Sequence, residues 1–102
     1  DRVEAPEGVY IEAVAPDHFI MQGIPWSECP MFLGYNRVKL KEGATLLARV
    51  GDDPFLAVWE FGKGRAMAFA SDCAPHWATG FVSWQYYPRF WKQAVDWLTK
   101  AT

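Results

Sequence analysis

The sequence predicts a mixed α/β segment, built of mostly antiparallel strands with one covering helix at the C-terminus. It further predicts that the segment is part of a larger layered domain. Three observations carry this. Strand-like runs joined by short turns fill residues 9–71. One amphipathic helical pattern follows Pro88. The strands are apolar on both faces, more than a single helix can cover. At 102 residues the chain is long enough for one small domain with a core.

The elements follow in order. Val9 to Val14 reads as a strand that ends before Pro16. Asp17 and His18 open a turn or one-turn helix through Met21, closed by Gly23 and Pro25. Trp26 to Pro30 reads as loop, and Leu33 to Leu40 as a strand with a turn at Glu42 and Gly43. Thr45 to Val50 is β-rich, and Gly51-Asp52-Asp53-Pro54 is a turn signal. Phe55 to Phe61 is the clearest strand. Phe55, Ala57, Trp59 and Phe61 share one face, and Leu56 and Val58 the other. Gly62-Lys63-Gly64 reverses the chain, because glycine supplies the positive φ of a hairpin. Arg65 to Ser71 returns as a strand whose Ala66, Ala68 and Ala70 face leaves room for close packing, with a helix as the natural occupant. Pro88 fits the first turn of that helix. Phe90, Trp91, Ala94, Val95, Trp97 and Leu98 form its apolar face, with Arg89, Lys92, Gln93, Asp96 and Lys100 mostly opposite. Amphipathicity of this kind indicates sheet packing.

Composition narrows the function classes. Half the residues are apolar, which argues against disorder. The net charge is −2 without a basic face, which argues against nucleic-acid binding. No apolar run reaches the length of a membrane span, and no signal peptide opens the chain. Six Trp, seven Phe and four Tyr are many for this length. They predict a surface that needs covering, by the rest of the parent protein or by a second copy. Two cysteines, Cys29 and Cys73, favour a reducing cytoplasm, although a Cys29–Cys73 bridge is compatible with the sequence. The chain starts at Asp1, as an excised or processed segment would. No His/Cys/Asp/Glu spacing matches a zinc site and no glycine loop matches a phosphate cradle, so neither metal nor cofactor is expected. Asp52-Asp53 before Pro54 reads as a turn, and His18 as a residue bracing its loop.

Four segments together resemble one family. They are Pro16-Asp17-His18-Phe19-Ile20-Met21-Gln22-Gly23-Ile24-Pro25, Gly34-Tyr35-Asn36-Arg37-Val38, Phe61-Gly62-Lys63-Gly64-Arg65 and Ser71-Asp72-Cys73-Ala74-Pro75-His76-Trp77. In this order they are similar to the second half of the glutamine amidotransferase-like family, within the class I glutamine amidotransferase-like superfamily. The glycine hairpin also resembles the trehalose-utilisation proteins of that superfamily. The resemblance implies a flavodoxin-like domain, an upstream half with parallel strands, and a nucleophile on a strand-to-helix elbow in that half. An elbow needs small neighbours, usually Gly, on both sides. Cys29 lies between Glu28 and Pro30, and Cys73 between Asp72 and Ala74, so neither fits.

In glutamine-hydrolysing members a His follows a late strand, with a Glu two positions on. His76 holds the corresponding place, but position 78 is Ala78. Asp72 could orient His76 instead, fixing its tautomer and raising its basicity. Loops at the carboxyl ends of strands are where open α/β sheets bind ligands. The plainer alternative is that Asp72 braces the loop and His76 packs beside Trp77. Trp77 and Asn36, from two of the matching segments, are the candidate binding residues.

Three functions stay open. One is an amidotransferase-like protein with an altered site, binding a small metabolite or acting structurally. Another is a glutaminase or hydrolase whose nucleophile lies upstream, with His76 as general base. The third is a carbohydrate-binding or scaffolding module using a loop cluster of Trp77, Phe81, Trp84, Tyr86 and Tyr87. The expected partners are a small-molecule ligand and the missing N-terminal half or a second copy of the chain.

Overall fold

The computed structural model describes residues 2–71 and 77–100. Its strands are β1 (Arg2–Val9), β2 (Glu12–Ala13), β3 (Phe32–Asn36), β4 (Thr45–Val50), β5 (Asp53–Phe61) and β6 (Gly64–Phe69). A 3-10 turn spans Trp26–Glu28, and two helices follow, α1 (Thr79–Ser83) and α2 (Tyr87–Thr99). Strands β2-β4-β5-β6 form one antiparallel sheet, and β1 pairs with β3 in an antiparallel ribbon. This is the mixed α/β architecture that the sequence predicts, with antiparallel strands and a C-terminal helix.

The centre of the sheet follows the pattern of apolar residues. Leu56 pairs with Phe69 and Val58 with Met67, so these four share a face. Leu56 and Val58 are buried there. Gly62 turns the chain into β6 at φ +52°, in the left-handed region that glycine tolerates. Helix α2 lies over this Phe69 face: Phe69 meets Phe90 at 6.3 Å and Trp91 at 5.9 Å between ring centroids. The core continues through Phe32, Phe55 and Phe81, whose rings interlock at 4.8 Å and 5.2 Å around Phe32.

Several expectations are corrected by the structure. The helix covers the Arg65, Met67 and Phe69 side of β6, not the alanine side. Ala57, Trp59 and Ala68 instead line an open groove of about 130 Å³ with Val38 and Leu40. Arg65 and Phe69 carry the contact, Arg65 through the Trp97 carbonyl and ring and Phe69 through the Phe90 and Trp91 rings. The first strand runs over Arg2–Val9, and the expected Val9–Val14 strand is broken, with Val9 ending β1 and Glu12–Ala13 forming β2. Pro6 hid β1, since proline cannot donate to a central ladder, but an edge ribbon accommodates it. Strand β3 stops at Asn36, leaving Val38 and Leu40 exposed. The predicted turn at 51–54 is shorter, because β5 already begins at Asp53. Helix α1 was expected as loop. Its Gly80 and β-branched residues are poor helix formers, and packing of Phe81 among Phe32, Phe69 and Phe90 overrides that preference. In α2, Val95 lies outside the buried stripe at 52% exposure.

Gln93, read as solvent-facing, has a structural contact. Its amide nitrogen lies 3.2, 2.8 and 3.2 Å from the carbonyls of Phe19, Ile20 and Gln22. Arg89 Nε in turn donates to Gln93 Oε1 at 2.8 Å. The helix thereby holds the turn that buries Ile20 and Met21 completely.

Candidate functional site

The carboxyl ends of β3 and β6 and the start of β5 meet at one rim. Asn36 N–H donates to Ala70 O at 2.7 Å, and Ala70 N–H donates to Phe55 O at 2.9 Å. Ser71 Oγ donates to Gly34 O at 3.1 Å. On the other side of residues 72–76, Trp77 O accepts from Leu33 N–H at 2.8 Å. The Trp77 indole lies over Gly34, where an added Cβ would meet it at 2.5 Å. Glycine at position 34 is therefore a requirement of close approach. Ser71 and Trp77 are thus both fixed to the same short stretch of β3.

Asp72 and His76, the candidate catalytic pair, lie outside the described residues, as does Cys73. The candidate binding residues are both at the rim but in different settings. Trp77 is buried: its Nε1–H donates to Glu4 Oε1 at 3.3 Å and Arg2 lies 4.9 Å over its ring. Asn36 is exposed at the end of β3, opposite Arg2.

A polar cluster that sequence reasoning missed sits beside Asn36. Tyr35 Oη donates to Asp53 Oδ2 at 2.6 Å, and Arg37 Nε donates to the same oxygen at 3.4 Å. The Tyr35 hydrogen bond, aided by the Arg37 charge, holds the Asp53 carboxyl below its usual range. The same bond, with burial, pushes the Tyr35 phenol up. The partners are 16 and 18 residues apart, so no local spacing reveals them. From sequence alone Asp53 reads only as part of a turn.

Other candidates resolve as follows. Cys29 is a free thiol, and burial pushes it up to about 12, far from a reactive thiolate. Ala78 is fully buried ahead of α1, and its carbonyl accepts from Val82 N–H at 2.8 Å. His18 braces its turn, since Nδ1 accepts from Ile20 N–H at 3.1 Å. Among the described residues no group of three His, Cys, Asp or Glu could hold a metal. The aromatic cluster proposed for sugar stacking is largely self-packed. Phe81 and Trp77 are buried, and Trp84 leans on Tyr86 at 5.2 Å.

Fold and rim together define part of an α/β domain whose polar rim lies at strand ends. The family profile described as "Putative glutamine amidotransferase" (GATase1-like) matches residues 1–100, and the chain belongs to that family. Two cytoplasmic proteins of Salmonella typhimurium are similar in structure. STM3548 superimposes with a TM-score of 0.89 at 39% identity, over 96% of this chain and 39% of its own. STM1381, of strain LT2, superimposes with a TM-score of 0.87 at 39% identity, over 96% of this chain and 40% of its own. The chain therefore spans about two-fifths of the length of these solved relatives. No curated protein matches the sequence. Among the described residues no helix is long and apolar enough to cross a membrane.

Proposed function

We propose that this chain forms one wall of a small-metabolite site in a cytoplasmic amidotransferase-like protein whose glutaminase triad is altered. Asp72 and His76 supply the polar chemistry, with the Asp72 carboxylate orienting the His76 imidazole. Asn36 and Trp77 are the binding residues of this reading. The observation that carries this reading is the double anchorage at Gly34. It holds Ser71 and Trp77, the described residues on either side of residues 72–76, against β3 near Tyr35, Asp53 and Arg37.

Two findings favour binding over glutamine hydrolysis. Position 78, where the family pattern has a carboxylate, is a fully buried alanine. The buried Cys29 thiol is not a nucleophile near neutral pH. A hydrolase with its nucleophile elsewhere in the parent protein is the second reading, favoured by the greater length of the relatives. The open alanine face of the sheet then receives the remainder of the domain. The cytoplasmic setting rests on the two relatives of that description.

The test uses the full-length polypeptide containing this segment. Thermal shift against a small-metabolite library should find a stabilising compound, and Asp72→Asn and His76→Ala should each abolish the shift while leaving the circular dichroism unchanged. Unaltered binding by both variants overturns the proposal. Ammonia release from glutamine that His76→Ala removes would establish the hydrolase instead.

A further inference from the structure

A second groove lies at the opposite end of the sheet from Ser71. It is a shallow, open groove of about 270 Å³ lined by His18, Thr45, Val58, Glu60 and Trp97. Thr45 pairs across strands with Val58, which places it on the α2 face with Glu60, two residues further along. The turn at His18 and the C-terminal part of α2 at Trp97 close the sides. The six residues of β6 put this groove roughly 20 Å from the rim at Ser71.

The wall alternates donors and acceptors. The Nδ1 of His18 is occupied by Ile20 N–H, so the neutral ring carries its proton on Nε2 as a donor. Burial, with Arg65 nearby, holds His18 below its ordinary pKa and keeps it neutral near pH 7. The Thr45 hydroxyl both donates and accepts, and the Glu60 carboxylate only accepts. Arg65 is committed to the helix: Nη1 donates to Trp97 O at 2.8 Å and the guanidinium lies 4.4 Å over the Trp97 ring. Its buried Nε finds no hydrogen-bond partner among the described residues, and Glu60 Oε1 stands 3.9 Å away. The opposite charges of Glu60 and Arg65 offset each other, and the Trp97 indole supplies a small apolar surface.

The geometry points to this groove as a binding site for a small uncharged polyhydroxyl molecule of about monosaccharide size. Neighbouring hydroxyls donate to the two Glu60 oxygens and accept from His18 Nε2 and Thr45. The C–H face of the ligand rests on the indole edge of Trp97. An anionic ligand meets the Glu60 carboxylate, and the charge of Arg65, 3.9 Å from Glu60 Oε1, offsets the attraction a cationic one would feel.

Titration of the full-length protein with D-glucose and myo-inositol, followed by amide shifts, tests the assignment. Inorganic phosphate and ethanolamine serve as charged comparators. One polyol should saturate, with shifts centred on Thr45, Glu60 and Trp97. Glu60→Ala and Thr45→Val should each weaken it about tenfold. Both positions are exposed, and circular dichroism confirms that the variants fold. Asp72→Asn should leave polyol binding unchanged, which separates this groove from the proposed metabolite site. Absence of saturable polyol binding, tighter binding of phosphate or ethanolamine, or wild-type affinity in both groove variants overturns the proposal.

Discussion

His18 is held as a neutral ring chiefly by burial and by the nearby Arg65 charge. Its Nδ1 accepts from Ile20 N–H, its ring sits 5.4 Å from Trp97, and Arg65 lies close enough to disfavour a second positive charge. Its folded pKa is lowered from 6.5, chiefly by burial. A group depressed in this way binds fewer protons folded than unfolded. Its stabilising contribution is complete above 6.5 and is lost as the pH falls through the folded value. His18→Gln should therefore flatten the change in unfolding free energy between pH 7.5 and pH 5, measured by urea denaturation at both. An unchanged slope would show that other groups set the acid response. The Tyr35–Asp53 pair works in the opposite chemical direction, with a phenol giving its hydrogen to keep a carboxylate charged.

Helix α2 connects distant parts of the chain by polar contacts as much as by rings. Gln93 reaches three carbonyls of the turn before the 3-10 segment, and Arg65 reaches back from β6 to the Trp97 carbonyl. Gln93→Ala should cost about 1–3 kcal/mol, because it leaves part-buried carbonyls without their donor. Chemical denaturation measures it, and a loss below about 0.5 kcal/mol would show that water replaces the amide. At this scale the sequence was a good guide where periodicity is strong. Strands β4, β5 and β6, the glycine hairpin and α2 all follow from alternation or helical spacing. It failed where packing overrode propensity, at α1, and where Pro6 masked the edge strand β1. It also assigned α2 to the alanine side of β6, since small side chains look like room for a helix. At the rim, Asn36 and Trp77 were legible only through the family resemblance. The Tyr35–Asp53–Arg37 cluster was not legible, because its members converge only after the strands pair.

Over the whole molecule, the sheet is covered on one side and open on the other. The open side carries Ala57, Trp59, Ala68, Val38 and Leu40, and Phe61 at its edge is 59% exposed. Much of the aromatic surplus is spent internally, in the cluster around Phe32, Phe69 and Phe81. What remains is an apolar surface of mixed aliphatic, small and aromatic residues with Lys39 and Lys41 beside it. Expressed alone, the chain should self-associate through this side. Size-exclusion chromatography with light scattering should show a mass above the monomer that rises with concentration. Leu40→Glu should shift it toward monomer while changing stability by less than about 0.5 kcal/mol, since Leu40 is exposed. A clean wild-type monomer would count against the open side as a contact surface.

The seat at Gly34 has one more outcome. The backbone amides of Leu33 and Asn36 are bonded to the carbonyls of Trp77 and Ala70, so their protons exchange with solvent only when those tethers slacken. Two protons in β3 thus act as a built-in gauge of how firmly both stems are gripped. A compound that tightens them would slow deuterium uptake at both amides.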